Sequence, residues 1–163
     1  MKIASLNIPV QIFPDLTKLD PADAQLLETA RKATGDAYAP YSKFRVGAAI
    51  RLSNGQVLSG SNQENASFPA GICAERVVLS AASATYPGIA VTSLALTYIN
   101  ESDSGNIPIS PCGICMQTLA EYEQRFGQPI RLILGGISGE IFIINRATDL
   151  LPLAFSNLAL NAH

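Results

Sequence analysis

The sequence predicts one α/β domain in which helices cover both faces of a sheet. After an opening hairpin, strand-like and helical segments alternate along most of the chain, as is typical of layered α/β folds. The length of 163 residues suits a single domain, and a hydrophobic content of 48% supports a sizeable core. No repeat, linker or low-complexity tract divides the sequence. We therefore expect one domain over residues 20–163, preceded by an extension over residues 1–19.

The N-terminal extension is predicted to be an extended strand at the edge of the fold. Pro9 and Pro14 interrupt its apolar residues, and proline is tolerated in edge strands. It lacks the small-residue cleavage site of a secretory signal, and the chain has no apolar run of about 18 residues. We therefore expect a cytoplasmic protein with no membrane partner, whose cysteines are not a disulfide framework.

A helix and a hairpin are predicted at the start of the domain. Asp20-Pro21 favours a helix start, because aspartate caps helices and proline suits the first helical position. Apolar residues continue at helical spacing as far as Gly35. The strands are expected over Phe44–Leu52 and Gln56–Gly60, and the Asn-Gly pair between them favours a tight turn.

The rest of the chain alternates helices with strands. Its predicted elements are a helix over Cys73–Ala84, a strand over Val91–Ile99, a polar loop over Ser102–Pro108, a helix from Pro111 to Phe126, and strands over Ile130–Leu134 and Ile141–Ile144. The glycine-rich stretch Gly135–Gly139 lacks the lysine of a phosphate loop, so we expect a hairpin turn there. The leucine-rich tail Asp149–Leu160 is expected to end in a helix.

Composition excludes several functional classes. A net charge of -2, a pI near 5.3 and the absence of tryptophan argue against a nucleic-acid partner. The one histidine is the terminal His163, which argues against a Ser-His-Asp triad or a histidine-ligated metal. The low charge and a mean hydropathy of +0.23 suggest that self-association hides some apolar surface.

Three cysteines and an acid–base pair are the candidate chemical groups. Glu75 and Arg76 are the only charged residues between Glu64 and Glu101, and they lie close to Cys73. Charged side chains on an apolar helix are costly to bury without a partner, so the pair has a role. A structural ion pair beside an ordinary core cysteine would explain the pattern equally well.

The second cysteine motif, Pro111-Cys112-Gly113-Ile114-Cys115, allows several interpretations. It could be a redox pair, which leaves Cys73 unexplained, two ordinary core residues, or part of a structural zinc site in a non-enzymatic module. Structural zinc normally has four protein ligands, whereas three thiolates leave one position open, as in catalytic sites. Glu75 is close enough in sequence to move protons at such an open position.

These motifs resemble those of the small homotetrameric zinc-dependent cytidine deaminases, from the first helix to Phe155. The matching stretches are Ala39–Ala49 (APYSKFRVGAA), Asn62–Ala66 (NQENA), Cys73–Arg76 (CAER), Pro111–Cys115 (PCGIC) and Leu150–Phe155 (LLPLAF). The resemblance implies a three-layer α/β/α fold with a mixed five-stranded sheet. It also implies hydrolytic deamination of cytidine and deoxycytidine to uridine and deoxyuridine, with release of ammonia, in pyrimidine salvage.

The resemblance further implies a role for each matching residue. Zn²⁺ would be held by Cys73, Cys112 and Cys115, with Glu75 as proton shuttle and Arg76 offsetting the excess negative charge. Asn62 and Glu64 would hold the ribose hydroxyls, Phe44 would lie against the nucleoside, and the Ala74 backbone would read the pyrimidine. Neighbouring subunits of a homotetramer would contribute Ala66, Phe68 and Phe155.

Two departures from the family pattern concern affinity rather than the reaction. Phe68 replaces a common tyrosine, and Met116 replaces a common arginine after the last cysteine. The alternative substrate within this fold is another aminopyrimidine such as blasticidin S, although the Asn62–Asn65 stretch favours a ribose-bearing one. A nucleic-acid-editing deaminase would need a basic aromatic channel, which this chain lacks.

Overall fold

A computed structural model describes residues 1–100 and 105–156, which form a six-stranded mixed sheet with helices on both faces. The strands are β1 (Gln11–Phe13), β2 (Phe44–Leu52), β3 (Val57–Ser61), β4 (Val91–Asn100), β5 (Arg131–Gly135) and β6 (Ile141–Ile144). The helices are α1 (Pro21–Ala33), α2 (Ala74–Thr85) and α3 (Gly113–Phe126). The predicted α/β class with helices on both faces is confirmed.

The sheet has the strand order β1-β6-β5-β4-β2-β3. β4 and β5 run parallel, and every other neighbouring pair is antiparallel. The expected number of five strands is wrong, because the N-terminal extension adds β1 along β6 as a sixth. This pairing at the sheet edge agrees with the strand predicted for the extension, but the observed strand covers only residues 11–13. The proposed boundary at residue 20 lies between a 3₁₀ turn, Leu16–Lys18, and α1.

Two apolar clusters separate the layers. One packs α1 against its face of the sheet and contains Leu26, Leu27, Ala30, Ala49, Ala95, Ile133, Ile141 and Ile143. The other packs α2 and α3 against the opposite face and includes Val78, Leu79, Leu119, Ile50, Leu94, Leu96 and Leu132. Gly47 permits close approach of α1, because a Cβ there would lie 2.0 Å from the Ala30 carbonyl oxygen. The helices that carry the three cysteines therefore share one face of the sheet.

Most element boundaries agree with the sequence predictions. The β2–β3 hairpin turns through Gly55, whose φ of 84° lies in the left-handed region that Asn-Gly turns need. α1 ends at Ala33 and continues as a 3₁₀ turn over Thr34–Asp36. The β5–β6 hairpin confirms a turn at the glycine-rich stretch. A 3₁₀ turn, Ala147–Leu150, begins the C-terminal part, and Leu151–Ser156 after it are not helical. The end of the predicted tail, residues 157–160, and residues 102–104 of the predicted loop lie outside the described residues.

None of the helices within the described ranges is long and apolar enough to cross a membrane.

Candidate active site

The three cysteine sulfurs meet where α2 and α3 begin. Cys73 directly precedes α2, Cys112 directly precedes α3, and Cys115 lies in the first turn of α3. The Sγ–Sγ distance is 3.8 Å between Cys73 and Cys112 and 3.5 Å between Cys112 and Cys115. All three sulfurs lie within 4.8 Å of one another. Tetrahedral zinc, with bonds of about 2.3 Å to sulfur, places its ligands about 3.8 Å apart, so the cluster fits Zn²⁺.

Charge in the cluster is concentrated on Cys73. Hydrogen bonds from the Cys115 and Cys112 thiols, together with the Arg76 guanidinium, lower the pKa of Cys73 to about 5. The pKa of Cys115 is raised by the hydrogen bond that Cys115 makes to Cys73 and by burial. Cys73 is therefore a thiolate at neutral pH, and it accepts hydrogen bonds from Cys115 and Cys112. A cation that binds all three sulfurs displaces the remaining protons.

Glu75 lies beside the cysteines in the first turn of α2. Its side chain is buried, with a relative exposure of 4% for the residue. Burial, and after it the negative charge of Cys73, raises the pKa of Glu75. The Glu75 carboxylate also accepts hydrogen bonds from its own backbone N–H and from the Cys115 thiol. A carboxyl group in this position can exchange protons with a molecule held at the cluster.

Arg76 places a positive charge next to the thiols. Its Nη2 donates to the Gly71 carbonyl at 3.3 Å, which ties α2 to the preceding loop. Its Nε is buried and has no hydrogen-bond partner among the described residues. The guanidinium offsets part of the negative charge that three thiolates would carry.

An open cleft of about 510 Å³ leads to Cys73. Its walls come from the loop before β2, the end of β3 and the loop before α2. The lining residues are Tyr41, Ser42, Asn62, Gln63, Glu64, Asn65, Phe68, Gly71, Ile72 and Cys73. Both predicted hydroxyl-binding residues, Asn62 and Glu64, therefore line the same cleft as a cysteine of the cluster. The volume suits a small organic molecule.

Glu64 and Asn62 also hold the walls of the cleft in place. The Glu64 carboxylate accepts hydrogen bonds from the Tyr41 and Ser42 amides at 2.9 and 3.3 Å. A hydrogen bond from the Ser42 hydroxyl, and after it these two backbone bonds, lower the pKa of Glu64. The Asn62 amide accepts from the Val46 N–H at 2.8 Å and donates to the Phe44 carbonyl at 2.9 Å. Both side chains therefore fix the chain that leads into β2.

The predicted aromatic residues occupy three different places. Phe44 is half-buried and stacks on Tyr98 with ring centroids 4.9 Å apart, and it does not line the cleft. Phe68 lies on the rim, 74% exposed, in edge-to-face contact with Tyr41. Phe155 lies against a separate cavity beside the last turn of α3 and is 63% exposed.

The two predicted backbone and loop contacts are also placed. Ala74 is the first residue of α2 and is buried, and Ala66 lies exposed in the loop after the cleft residue Asn65.

The sequence prediction assigned no role to the turn before β2. Tyr41 and Ser42 supply the amides bound by Glu64, and Lys43 has a φ of 58°. A left-handed lysine is uncommon, and such strained residues cluster at functional sites. Tyr41 and Ser42 stand in the motif that carries the resemblance, but nothing in a lysine predicts a positive φ.

Comparison with known proteins gives the family. Residues 21–126 match the family described as the cytidine and deoxycytidylate deaminase zinc-binding region. The chain belongs to this family. A curated cytidine deaminase from Halalkalibacterium halodurans is 36% identical over 131 residues, which cover 80% of this chain and 92% of that protein.

Similarity within this deaminase family extends to solved structures. The 1.6 Å crystal structure of cytidine deaminase from Burkholderia pseudomallei has a TM-score of 0.69 and 39% identity, covering 80% of this chain and 97% of that chain. A blasticidin-S deaminase from Bacillus cereus is 26% identical over 136 residues, which cover 82% of this chain and 92% of that protein. Proteins named as cytidine deaminases and a protein named as a blasticidin-S deaminase are therefore both similar to this chain.

Proposed function

We propose that this protein is a zinc-dependent cytidine deaminase that converts cytidine or deoxycytidine and water into uridine or deoxyuridine and ammonia. The observation that carries the proposal is the meeting of three thiols with a buried carboxylate at the end of a cleft. Identities of 36–39% to named cytidine deaminases support this substrate class over blasticidin S.

We assign the metal to Cys73, Cys112 and Cys115, and the proton transfers to Glu75. Zinc held by three thiolates supplies Lewis acidity toward water at neutral pH. Glu75 takes one proton from water and delivers it to N3 of the pyrimidine while the hydroxyl adds at C4. It then takes the remaining proton of that hydroxyl and delivers it to the amine, so that the C4–N bond breaks, ammonia leaves and the C4 carbonyl forms. Glu75 passes on every proton that it accepts, so its carboxylate is regenerated after each turnover. Arg76 moderates the net charge of -1 that zinc and three thiolates would carry.

Nucleoside recognition falls to the walls of the cleft. A carboxylate has about four acceptor positions, and the Tyr41 and Ser42 groups occupy three of those on Glu64, so one remains for a ribose hydroxyl. Asn62 retains a second N–H for the same sugar. Ala74 at the start of α2 offers its backbone to the pyrimidine, and Phe44 supports the β2 end of the cleft.

We further propose a homotetramer in which neighbouring subunits supply Ala66, Phe68 and Phe155 to each site. Support comes from apolar side chains that are exposed around α2 and α3, the two helices that begin at the cysteines. Ile114 on the first turn of α3 is 63% exposed, and Leu153 before Phe155 is 87% exposed. A single exposed apolar residue is ordinary, but Ile114, Leu153, Phe68 and Phe155 are all exposed on a chain of low net charge.

Three free thiols are consistent with a cytoplasmic location.

One assay tests the reaction. Purified protein is incubated with cytidine, deoxycytidine or blasticidin S, and the loss of the substrate's ultraviolet absorbance is followed. Ammonia and zinc are measured on the same sample. The proposal predicts turnover of the two nucleosides, about one zinc per chain, and loss of both after chelation. Preferential turnover of blasticidin S would favour the alternative substrate. Zinc binding without turnover of any of the three compounds would favour a structural module.

A further inference from the structure

Glu123 is a buried carboxylate that the cleft does not use. It lies on α3, two turns beyond Cys115, and is 7% exposed. Among the described residues it has no lysine or arginine partner. An ionised carboxylate in such a position is costly unless hydrogen bonds satisfy its oxygens.

Neutral donors from two segments satisfy this carboxylate. Its Oε1 accepts from the Ile130 N–H at 2.8 Å and from the Ala147 N–H at 2.9 Å. Its Oε2 accepts from the Thr148 hydroxyl at 2.7 Å and from the Thr148 N–H at 3.4 Å. Glu123 therefore binds the start of the 3₁₀ turn that opens the segment 147–155, which we call the closing segment.

A second side chain of α3 holds the far end of the closing segment. The Gln117 amide Nε2 donates to the Phe155 carbonyl at 2.8 Å. Gln117 lies two residues after Cys115, so the helix that carries two of the thiols is also tied to both ends of the closing segment. Between those ties the segment projects Leu153 and Phe155 outward, 87% and 63% exposed.

Phe155 does not line the cleft of its own chain; it lies against a different cavity of about 320 Å³, with Glu123 among the lining residues. Its exposed ring is therefore available to another molecule. We propose that Glu123 is a positioning residue that fixes the closing segment on α3, so that Phe155 completes the active site of a neighbouring subunit. This inference rests on the proposed deaminase function and on its subunit-shared site.

The first test replaces Glu123 and measures the split between KM and kcat. Glu123→Ala removes all four hydrogen bonds, and we expect KM for cytidine to rise about tenfold or more while kcat changes less. Zinc content is expected to stay at the wild-type level, because the thiols are untouched. Glu123→Gln keeps an acceptor for Ile130 and Ala147 and is expected to restore most of the affinity. Glu121→Ala, an exposed carboxylate on the same helix, is the matched control.

The second test asks whether the effect of Glu123 crosses between subunits. Chains carrying Glu75→Ala keep an intact closing segment but lack the proton shuttle, whereas Glu123→Ala chains have the reverse defect. Differently tagged chains are co-expressed, mixed oligomers are purified, and KM is measured. We expect KM to fall toward the wild-type value, because sites on Glu123→Ala chains receive Phe155 from their neighbours. A KM unchanged from the Glu123→Ala oligomer would overturn the inference.

Two controls separate this inference from the proposed function. Wild-type protein that does not turn over cytidine, or that sediments as a monomer, contradicts the proposed function itself. If Glu123→Ala does not fold, Gln117→Ala breaks the other tie of the closing segment and is mixed with Glu75→Ala in the same way. A wild-type KM for homo-oligomeric Gln117→Ala would also contradict the idea that these ties position the closing segment.

Discussion

The start of α1 differs from the starts of α2 and α3 in how the first backbone N–H groups are satisfied. At α1, the Asp20 side chain accepts from the Ala22 N–H at 2.9 Å, and Pro21 occupies the first helical position. The residues before α2 and α3 are Cys73 and Cys112, and neither makes a side-chain cap hydrogen bond. All three flanking residues have ψ in the extended range, so only the side chains differ.

This difference separates a helix start built for stability from two built for chemistry. A good cap contributes about 1 kcal/mol, which α2 and α3 forgo. In exchange, two thiols lie against uncapped helix N-termini, whose partial positive charge favours thiolates and anionic metal centres. Among the three described α-helices, the two that begin without a side-chain cap are therefore the two that begin at the cysteine cluster.

The largest expected effect comes from replacing a cysteine of the metal centre with a residue that caps the helix. Cys112→Ser removes one thiolate, so zinc content and activity should both fall to background. The serine hydroxyl can cap α3, so the zinc-free variant should be about 0.5–1 kcal/mol more stable than zinc-free wild type. Elemental analysis and urea unfolding measure the two quantities. Unchanged zinc stoichiometry would show that the assigned ligand set is wrong.

Glu75→Ala changes the chemistry while leaving the cysteines at both helix starts in place. We expect turnover to fall by about 10²–10⁴, because general acid–base catalysis contributes that range. Zinc content should match wild type, since all three thiols remain. Retention of most of the activity would exclude Glu75 as the proton shuttle.

At the structural helix start, Asp20→Ala should give the opposite pattern. Loss of the cap on α1 is expected to lower the free energy of unfolding by about 1 kcal/mol. Cytidine turnover and zinc content should stay at wild-type levels, because α1 packs on the other face of the sheet. Urea unfolding measures the stability, and the ammonia assay with elemental analysis measures turnover and zinc content. A large loss of zinc would contradict the distinction between a stabilising helix start at α1 and functional helix starts at α2 and α3.

The smallest effect is expected from adding charge at α3. Met116→Arg places a cation in the first turns of a helix, which costs about 0.3–1 kcal/mol without metal. With zinc bound, the negative charge of the thiolate centre should offset part of that cost. Thermal unfolding of zinc-loaded and zinc-free protein measures the difference, and an equal penalty in both forms would count against a negatively charged centre.

Local sequence signals predicted most of the fold. Asp20-Pro21 marked the start of α1, and Asn54-Gly55 marked the hairpin, because caps and tight turns depend on a few adjacent residues. The pairing of the extension with β6 was not predictable in register, since it joins residues far apart in sequence. The same holds for Glu123, whose importance depends on donors at 130 and 147–148. Nothing local distinguishes it from Glu121.

The cysteine cluster shows what sequence could predict at the site. Cys112 and Cys115 share one helix start, so their proximity follows from spacing, whereas Cys73 joins them only through packing of α2 beside α3. Family resemblance supplied that link before the structure placed the sulfurs together. The hydrogen bonds that Glu64 and Asn62 make in the cleft wall, and the left-handed backbone of Lys43, could not be predicted, because the sequence does not show which backbone groups a side chain will bind.

The central claim is that three thiols at two uncapped helix starts hold a zinc that drives nucleoside deamination. Zinc and ammonia measured together during cytidine turnover, before and after stepwise chelation, test it most directly. The account predicts that activity falls in proportion to zinc lost and returns when zinc is restored. Deamination that continues in zinc-free protein would contradict it.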